Sequence, residues 1–298
     1  MTVRIAGVEL GGTKCVAVLG TSAGTIEATV EVPTTTPAET LGRLRATLDA
    51  WHADAGFAAI GIGCFGPLDL DKGAVAATAK PGWSGAPILA PLSDGFGVPA
   101  FIDTDVTGAA LAEGRWGSAR DVDSYCYITV GTGVGAGIIV AGQPVRGLGH
   151  AEAGHIHVGR MADDDWPGSC PFHGDCVEGL ASGSAIAARS DGRAATLETD
   201  DPLWDPVAHA LARLLHTLAL VAVPRRIVMG GGVINRRPHL LPMIRDRLGD
   251  SLAGYCAPLK TGAAREAFVT TSALGAEVGP LGTVAIALAG VEGERSGL

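Results

Sequence analysis

Glycine at the ends of apolar runs constrains this chain more than any other residue. There are 44 glycines in 298 residues, about twice the usual share of roughly 7%. They cluster without a fixed period, which excludes a collagen-like repeat. Five glycine-bearing turns (Gly11-Gly12, Gly61–Gly66, Gly82–Gly85, Gly131–Gly137 and Gly230–Gly232) follow runs that read as strands. Glycine tolerates positive φ and lets a ligand come close to main-chain N–H groups. One such turn is most simply a hairpin, but several together point to a ligand rich in phosphate. Gly61-x-Gly63-x-x-Gly66 matches the dinucleotide fingerprint, yet that fingerprint must open a helix, and Pro67-Leu-Asp-Leu-Asp-Lys-Gly73 reads as loop. No Gly-x4-Gly-Lys-[Ser/Thr] run is present, so a Walker-type loop is excluded.

Charge and composition narrow the partners. With 22 basic and 31 acidic side chains the net charge is −9, and no basic run offers a grip on nucleic acid. A content of 47% hydrophobic and 18% charged residues argues for a folded core. No stretch reaches the roughly 20 apolar residues of a membrane span. Met1 to Leu10 carries Arg4 and Glu9 and does not read as a signal peptide. Cys15, Cys64 and Cys126 lie in apolar runs, as buried reduced thiols do. A reduced, cytoplasmic enzyme without membrane or nucleic-acid partners is expected.

Along the chain, short strand-like runs alternate with helical spacing. Val3–Val8 and Cys15–Gly20 flank a tight turn and read as a hairpin. Leu41, Leu44, Leu48 and Trp51 give Ala38–His52 the period of a helix. Ala58–Cys64 and Val98–Ile102 read as strands, and Val106–Arg115 as an alanine-rich helix. From Ser124 the pattern starts again: Tyr125–Val130, the glycine turn, then Ile138–Ala141. Pro206–Val223 reads as a long helix, Arg226–Met229 as a strand, and roughly Leu281–Leu288 as a last helix. An internal duplication, with two α/β halves around a cleft, accounts for the order.

Two constellations carry chemistry. Cys170-x2-His173-x2-Cys176 offers three zinc-type ligands, which His155 upstream could complete to a tetrahedral set. Four protein ligands leave no open position, so such an ion is structural; the alternative is a pair of core cysteines beside a surface histidine. His150 and His157 rank behind as ligands. Asp105 follows a strand and opens a helix, which suits either a carboxylate facing a cleft or a helix N-cap. Asp163-Asp-Asp165 reads as a solvated turn.

Glu9-Leu-Gly-Gly-Thr-Lys14, Gly131-Thr-Gly-Val-Gly135 and Gly230-Gly-Gly-Val233 resemble the two phosphate loops and the adenosine loop of the ROK sugar kinases, members of the actin/hexokinase superfamily. The likeness spans nearly the whole chain in the right order. Glu9, Lys80-Pro-Gly-Trp83, Asp103-Thr-Asp-Val106 and Cys170-Pro-Phe-His-Gly-Asp-Cys176-Val-Glu-Gly-Leu-Ala-Ser182 are more similar to the bacterial fructokinase branch.

The resemblance implies an α/β, two-domain actin/hexokinase-like ATPase fold with RNase H-like halves and an interdomain cleft. The N-terminal domain would cover 1–119, with a C-terminal helix at about 281–298 packing back on it. The second domain would cover 120–280 and hold the zinc-binding segment 155–176. It implies ATP-dependent phosphorylation of the 6-hydroxyl of a hexose, fructose first, with mannose or glucose, or a non-catalytic sugar sensor, as alternatives. Asp105 would be the general base, with Gly66, Pro67, Glu152, His155 and Glu178 around the sugar. Gly11, Gly12, Thr13, Lys14, Gly131, Thr132, Gly133, Gly230, Gly231 and Gly232 would hold ATP, and Glu9 would organise Mg2+. Zinc would sit on His155, Cys170, His173 and Cys176, with His155 joining metal and sugar, and Asp103 would support its loop. Lys80 and Trp83 become candidates to line the substrate cleft, Trp83 alternatively as a lid or dimer contact, since members are commonly homodimers. Thr107 and Trp166 depart from the branch, which has Asn and Phe there.

Two rivals fall short. A zinc deaminase needs His-x-Glu followed by Pro-Cys-x-x-Cys, whereas Pro171 follows Cys170 and His173 replaces the second cysteine. A ROK-type repressor carries an N-terminal helix-turn-helix, for which a first phosphate loop starting at Leu10 leaves no room.

Overall fold

The computed structural model describes residues 2–78 and 80–296, so the last two residues of the expected 281–298 helix lie outside it. The chain forms two compact units, Met1–Arg120 with Pro144–His150 and Leu274–Leu298, and Asp121–Gln143 with Ala151–Ala273. The return to the first unit thus begins at Leu274, ahead of the expected 281, and residues 144–150 join that unit although no sequence signal marks them.

In the first unit, β1 (Arg4–Leu10), β2 (Lys14–Thr21) and β3 (Ile26–Pro33) form an antiparallel meander. After α1 (Pro37–Asp54), β4 (Ile60–Cys64) pairs parallel to β1. The ribbon β5 (Leu68–Asp69) and β6 (Ala74–Val75) and the short α2 (Leu89–Ser93) precede β7 (Ala100–Thr104), which pairs parallel to β4 and runs into α3 (Asp105–Trp116). The sheet order is β3-β2-β1-β4-β7. α1 starts where Thr36 accepts from the Glu39 N–H and Pro37 occupies its first turn, then buries Leu41, Leu44 and Leu48. β3 is an unexpected strand, in which Ile26, Ala28, Val30 and Val32 alternate with exposed residues as an edge strand requires.

The C-terminal helix, Val278–Ser296, belongs to this unit and packs on β1, β4 and α3. Glycines set its distance: a Cβ on Gly61 would stand 1.9 Å from the Thr283 carbonyl oxygen, and one on Gly282 only 2.7 Å from the Gly108 backbone. Gly61 therefore serves helix-on-sheet contact, not a ligand.

The second unit repeats the arrangement. β8 (Tyr125–Val130) and β9 (Val134–Val140) form the hairpin, β10 (Gln143–Pro144) extends it, and α4 (Val177–Ala181), α5 (Gly183–Arg189) and α6 (Trp204–Val221) follow. β11 (Arg226–Gly230) pairs parallel to β8 and leads into α7 (Gly232–Arg236) and α8 (Leu240–Leu252); α9 (Gly262–Phe268) then feeds β12 (Val269–Thr271), parallel to β11. The order β10-β9-β8-β11-β12 reproduces the first sheet, with two hairpin-side strands on one flank of a central strand and two parallel strands on the other. Its core is separate, built on α6 with Leu211, Leu214 and Leu215 fully buried beneath Ile128 and Ile227.

Because Gly61 meets backbone and not a movable side chain, Gly61→Ala is expected to cost about 1–3 kcal/mol through overpacking. The midpoint of urea unfolding checks this; an unchanged midpoint would show that the helix can back away freely.

Candidate active site

Register brings the expected residues of the first unit to one edge of its sheet. Glu9 lies opposite Gly63, and Gly63 opposite Asp103, so the carboxyl ends of β1, β4 and β7 are level. That edge is where open α/β sheets bind ligands. The loop after β1 is held tightly: the Gly11 N–H donates to the Lys14 carbonyl (3.2 Å), and the Thr34 hydroxyl donates to the Gly11 carbonyl (2.8 Å). A Cβ on Gly11 would come within 2.5 Å of the Lys14 oxygen, so only glycine closes this turn. Gly12 and Thr13 are exposed, while the Lys14 ammonium pairs with Glu31 on β3. Glu9 sits against the start of the C-terminal helix, where a Cβ on Gly279 would meet its carboxylate at 2.3 Å. Gly66 and Pro67, joined by a cis peptide bond, follow β4, and the next N–H, of Leu68, donates to His150 Nε2 at 2.9 Å.

Asp105 is not the cap of α3. Thr104 is: its hydroxyl oxygen accepts from the Thr107 N–H at 3.1 Å and pairs with the Thr107 hydroxyl at 2.7 Å. The threonine that replaces the branch's usual Asn is thus buried in the capping arrangement. Asp105 opens the helix with its Oδ1 accepting from the Val106 N–H (2.9 Å), a half-buried carboxylate at the helix's positive end. Gly63 lies directly beside it, a Cβ there standing in ordinary contact at 3.5 Å from the Asp105 Cα. Burial pushes the neighbouring Cys64 thiol well up, and the Asp105 charge adds to the rise, so Cys64 stays a neutral neighbour. Asp103 is buried; it accepts from the Thr104 N–H (2.7 Å) and from the Arg146 guanidinium.

In the second unit, Gly131, Thr132 and Gly133 form the turn between β8 and β9. The Gly131 N–H donates to the Gly133 carbonyl (2.9 Å), and the Gly131 and Thr132 carbonyls accept from Gly183 and Ser184. Glu178, in the first turn of α4, accepts from the Val134 N–H at 3.0 Å, and a Cβ on Gly133 would be 2.4 Å from that same oxygen. Its other oxygen lies 3.9 Å from His155 Nε2. Glu178 therefore stands between the glycine turn and His155. Glu152 is exposed at the start of the short helical turn Ala153–His155. Gly231 has φ +89°, and a Cβ there would be 2.6 Å from the Val130 backbone, so the triplet's middle residue must be glycine.

His155, Cys170, His173 and Cys176 converge, with all four ligand atoms within 4.8 Å of one another. His155 Nδ1 is 3.7 Å from each cysteine sulfur and 3.3 Å from His173 Nδ1, and Cys170 Sγ is 3.7 Å from His173 Nδ1. Zinc bonds of about 2.3 Å to sulfur and about 2.0 Å to nitrogen give tetrahedral edges of about 3.6 and about 3.3 Å. The four side chains fit such an ion and leave it no open position. His150 and His157 are not in the cluster; His157 faces Asp175 instead.

Some expectations change. Trp83 is fully buried, its Nε1–H donating to the Thr35 carbonyl at 2.9 Å, so it is core and neither lid nor dimer contact. Asp164 does not lie in a solvated turn: burial alone would raise its carboxyl, but Arg189, bound through two nitrogens, and Arg160 hold it below the usual carboxylate range. The ties of Arg146 to Asp103 and of Lys80 to Gly12 had no signal in the sequence, because their partners are 43 and 68 positions away.

A model of the ROK family matches residues 5–289. The chain belongs to the ROK family. The fructokinase of Zymomonas mobilis is 39% identical to it over 95% of both chains. The crystal structure of a ROK hexokinase from Thermus thermophilus has a TM-score of 0.79 at 29% identity, covering 98% of this chain and 99% of the other. That of a ROK glucokinase from Streptomyces griseus, in complex with glucose and AMPPNP, has a TM-score of 0.75 at 26% identity, covering 96% and 99%. The fold is thus that of the ROK sugar kinases, the actin/hexokinase-like ATPase fold. Among the described residues of this ROK protein, no helix is long and apolar enough to cross a membrane.

Burial holds the Glu9 carboxyl above its ordinary value against the pull of Lys14, with Glu31 adding to the rise. A raised carboxyl favours the fold while protonated and costs stability as pH climbs from the unfolded value toward the folded one. Glu9→Gln is therefore expected to melt higher than the wild type at pH 7, with the difference vanishing below about pH 4. A gap that widens on acidification would contradict this.

Proposed function

We propose that this ROK sugar kinase is a fructokinase, transferring the γ-phosphoryl group of ATP to the 6-hydroxyl of fructose. The capping of α3 by Thr104 is the observation that carries the reaction: Thr104, not Asp105, fills the N-cap role that the position of Asp105 would otherwise explain. A half-buried carboxylate at the carboxyl edge of three levelled strands suits a general base. The match to the Zymomonas mobilis fructokinase, 39% identical over 95% of this chain against 32% over 63% for the glucokinase of Streptomyces coelicolor, favours fructose.

In this reading the first unit supplies the Gly11–Thr13 loop and Asp105, with Gly66 and Pro67 facing the sugar. The second supplies the Gly131–Gly133 loop for phosphate, Gly230–Gly232 for adenosine, and Glu152, His155 and Glu178 for sugar hydroxyls. Asp105 accepts the proton of O6 as that oxygen attacks the γ-phosphorus; the bond to the β–γ bridging oxygen breaks and ADP leaves. Little covalent chemistry falls to the protein, so positioning and charge stabilisation dominate. Mg2+ on the nucleotide phosphates, oriented from Glu9, would neutralise the developing charge. Zinc on His155, Cys170, His173 and Cys176 would fix the His155 ring through Nδ1, leaving Nε2 toward Glu178 and the sugar.

Asp105→Asn is expected to lower kcat by about 1,000-fold or more while fructose binding survives; a coupled assay with calorimetry checks it, and near-normal turnover removes Asp105 from the base role. The same assay across fructose, mannose and glucose tests the substrate, with kcat/KM highest for fructose. Elemental analysis should find one zinc per chain. Cys170→Ser is expected to lose it and to melt about 10 °C lower; unchanged metal content and melting would dismiss the zinc site.

A further inference from the structure

We infer that Lys80 is a phosphate-binding residue whose ammonium meets the phosphates of the nucleotide at the 11–13 loop. This rests on the kinase reading above and adds a cation that the glycine motifs do not contain.

Lys80 reaches that loop from a segment 68 positions away, and its Nζ donates to the Gly12 carbonyl. Gly12 and Thr13 are the exposed part of the loop, so the ammonium stands where a bound phosphate would arrive. The loop's own lysine is directed elsewhere, since Lys14 opens β2 and its ammonium pairs with Glu31 on the neighbouring strand. Lys80 is thereby the cation seated on the loop itself.

Its approach is built, not incidental. Lys80 begins a turn in which the Trp83 N–H donates to the Lys80 carbonyl (3.2 Å) and Gly82 takes φ +77°. Trp83, fully buried and hydrogen-bonded to Thr35, anchors the turn. Phe65 packs edge-on against Trp83 with ring centroids 5.3 Å apart, and the Lys80 ammonium lies 5.7 Å from the Phe65 centroid. Phe65 directly follows Cys64, whose thiol is close enough to Asp105 to feel its charge. The ring thus steers the ammonium along the same sheet edge that presents Asp105.

Among the described residues no acid pairs with Lys80, and the tie to Gly12 leaves its charge unmatched there, because a carbonyl is a neutral acceptor. An ammonium has three donors on a flexible stem, and hydrogen bonds to an ionised oxygen are roughly twice as strong as neutral ones. A phosphate at the loop can therefore draw Lys80 from the carbonyl or share it. Negative charge spreads over the transferring phosphoryl oxygens, so the same cation would act in the transition state as well as in binding.

The test uses the intact protein with Lys80→Met, Lys80→Gln and Lys80→Arg. Steady-state kinetics with ATP and fructose are read beside calorimetric affinities for MgATP and for fructose, and beside melting temperature. Lys80→Met is expected to lose about 100-fold in kcat/KM for ATP and to bind MgATP more weakly, with melting and fructose affinity unchanged. Lys80→Gln keeps a donor for the Gly12 carbonyl but no charge and should be as impaired as Met, whereas Arg should recover about tenfold. Wild-type behaviour of Lys80→Gln, or a loss confined to stability or to the fructose KM, would reduce Lys80 to a loop brace and overturn the assignment. Should the wild type phosphorylate no hexose, the kinase reading fails, while MgATP affinity still decides the role of Lys80; a wild type that binds no nucleotide ends both.

Discussion

Parallel hydrogen bonding between β1, β4 and β7 sets Glu9, Gly63 and Asp103 level with one another, and every candidate group of the first unit depends on that alignment. A slip of one residue would turn each strand's side chains to the opposite face. Asp105 would then leave the edge it shares with the Gly11–Thr13 loop. The register is protected by burial: β4 is buried throughout, and most of β1 and β2 with it, so a slip would expose core. The C-terminal helix locks the other side, approaching β4 so closely that only glycine fits at position 61.

The second unit secures its alignment by different means. Its paired strands again end together, at Thr129 and Gly230, but the turn after β8 is pinned by a side chain. Glu178 accepts from the Val134 N–H with one oxygen and faces His155 with the other. His155 is in turn one of four side chains whose ligand atoms gather within 4.8 Å of one another. A metal held by that cluster would brace the glycine turn through His155 and Glu178.

Much of this could be read before any coordinates. The two hairpins, the helix of Leu41, Leu44 and Leu48, and the long helix ending at Val221 follow from periodicity, because local sterics and one-sided burial act within a few residues. The Cys170–Cys176 cluster is legible because the spacing of candidate metal ligands is short-range. What stayed hidden involves distant partners or competition between neighbours. Asp105 and Thr104 are both good caps by residue type, and only the direction of the Thr104 hydroxyl decides between them. Trp83 reads equally as lid or core until its indole is seen bonded to Thr35.

By itself the chain of residues determined the duplicated strand-turn-strand plan, the glycine loops and the ligand types, since each is a property of adjacent residues and of hydrophobic period. Tertiary structure alone decided that Thr104 and not Asp105 caps α3, that Lys14 is tied to Glu31 while Lys80 takes the loop, and that Arg146 covers the buried Asp103. Those choices are made by charges many residues apart that meet only when strands pair and helices dock. No local pattern records them, because the free energy that selects them comes from desolvation and contact in the finished fold.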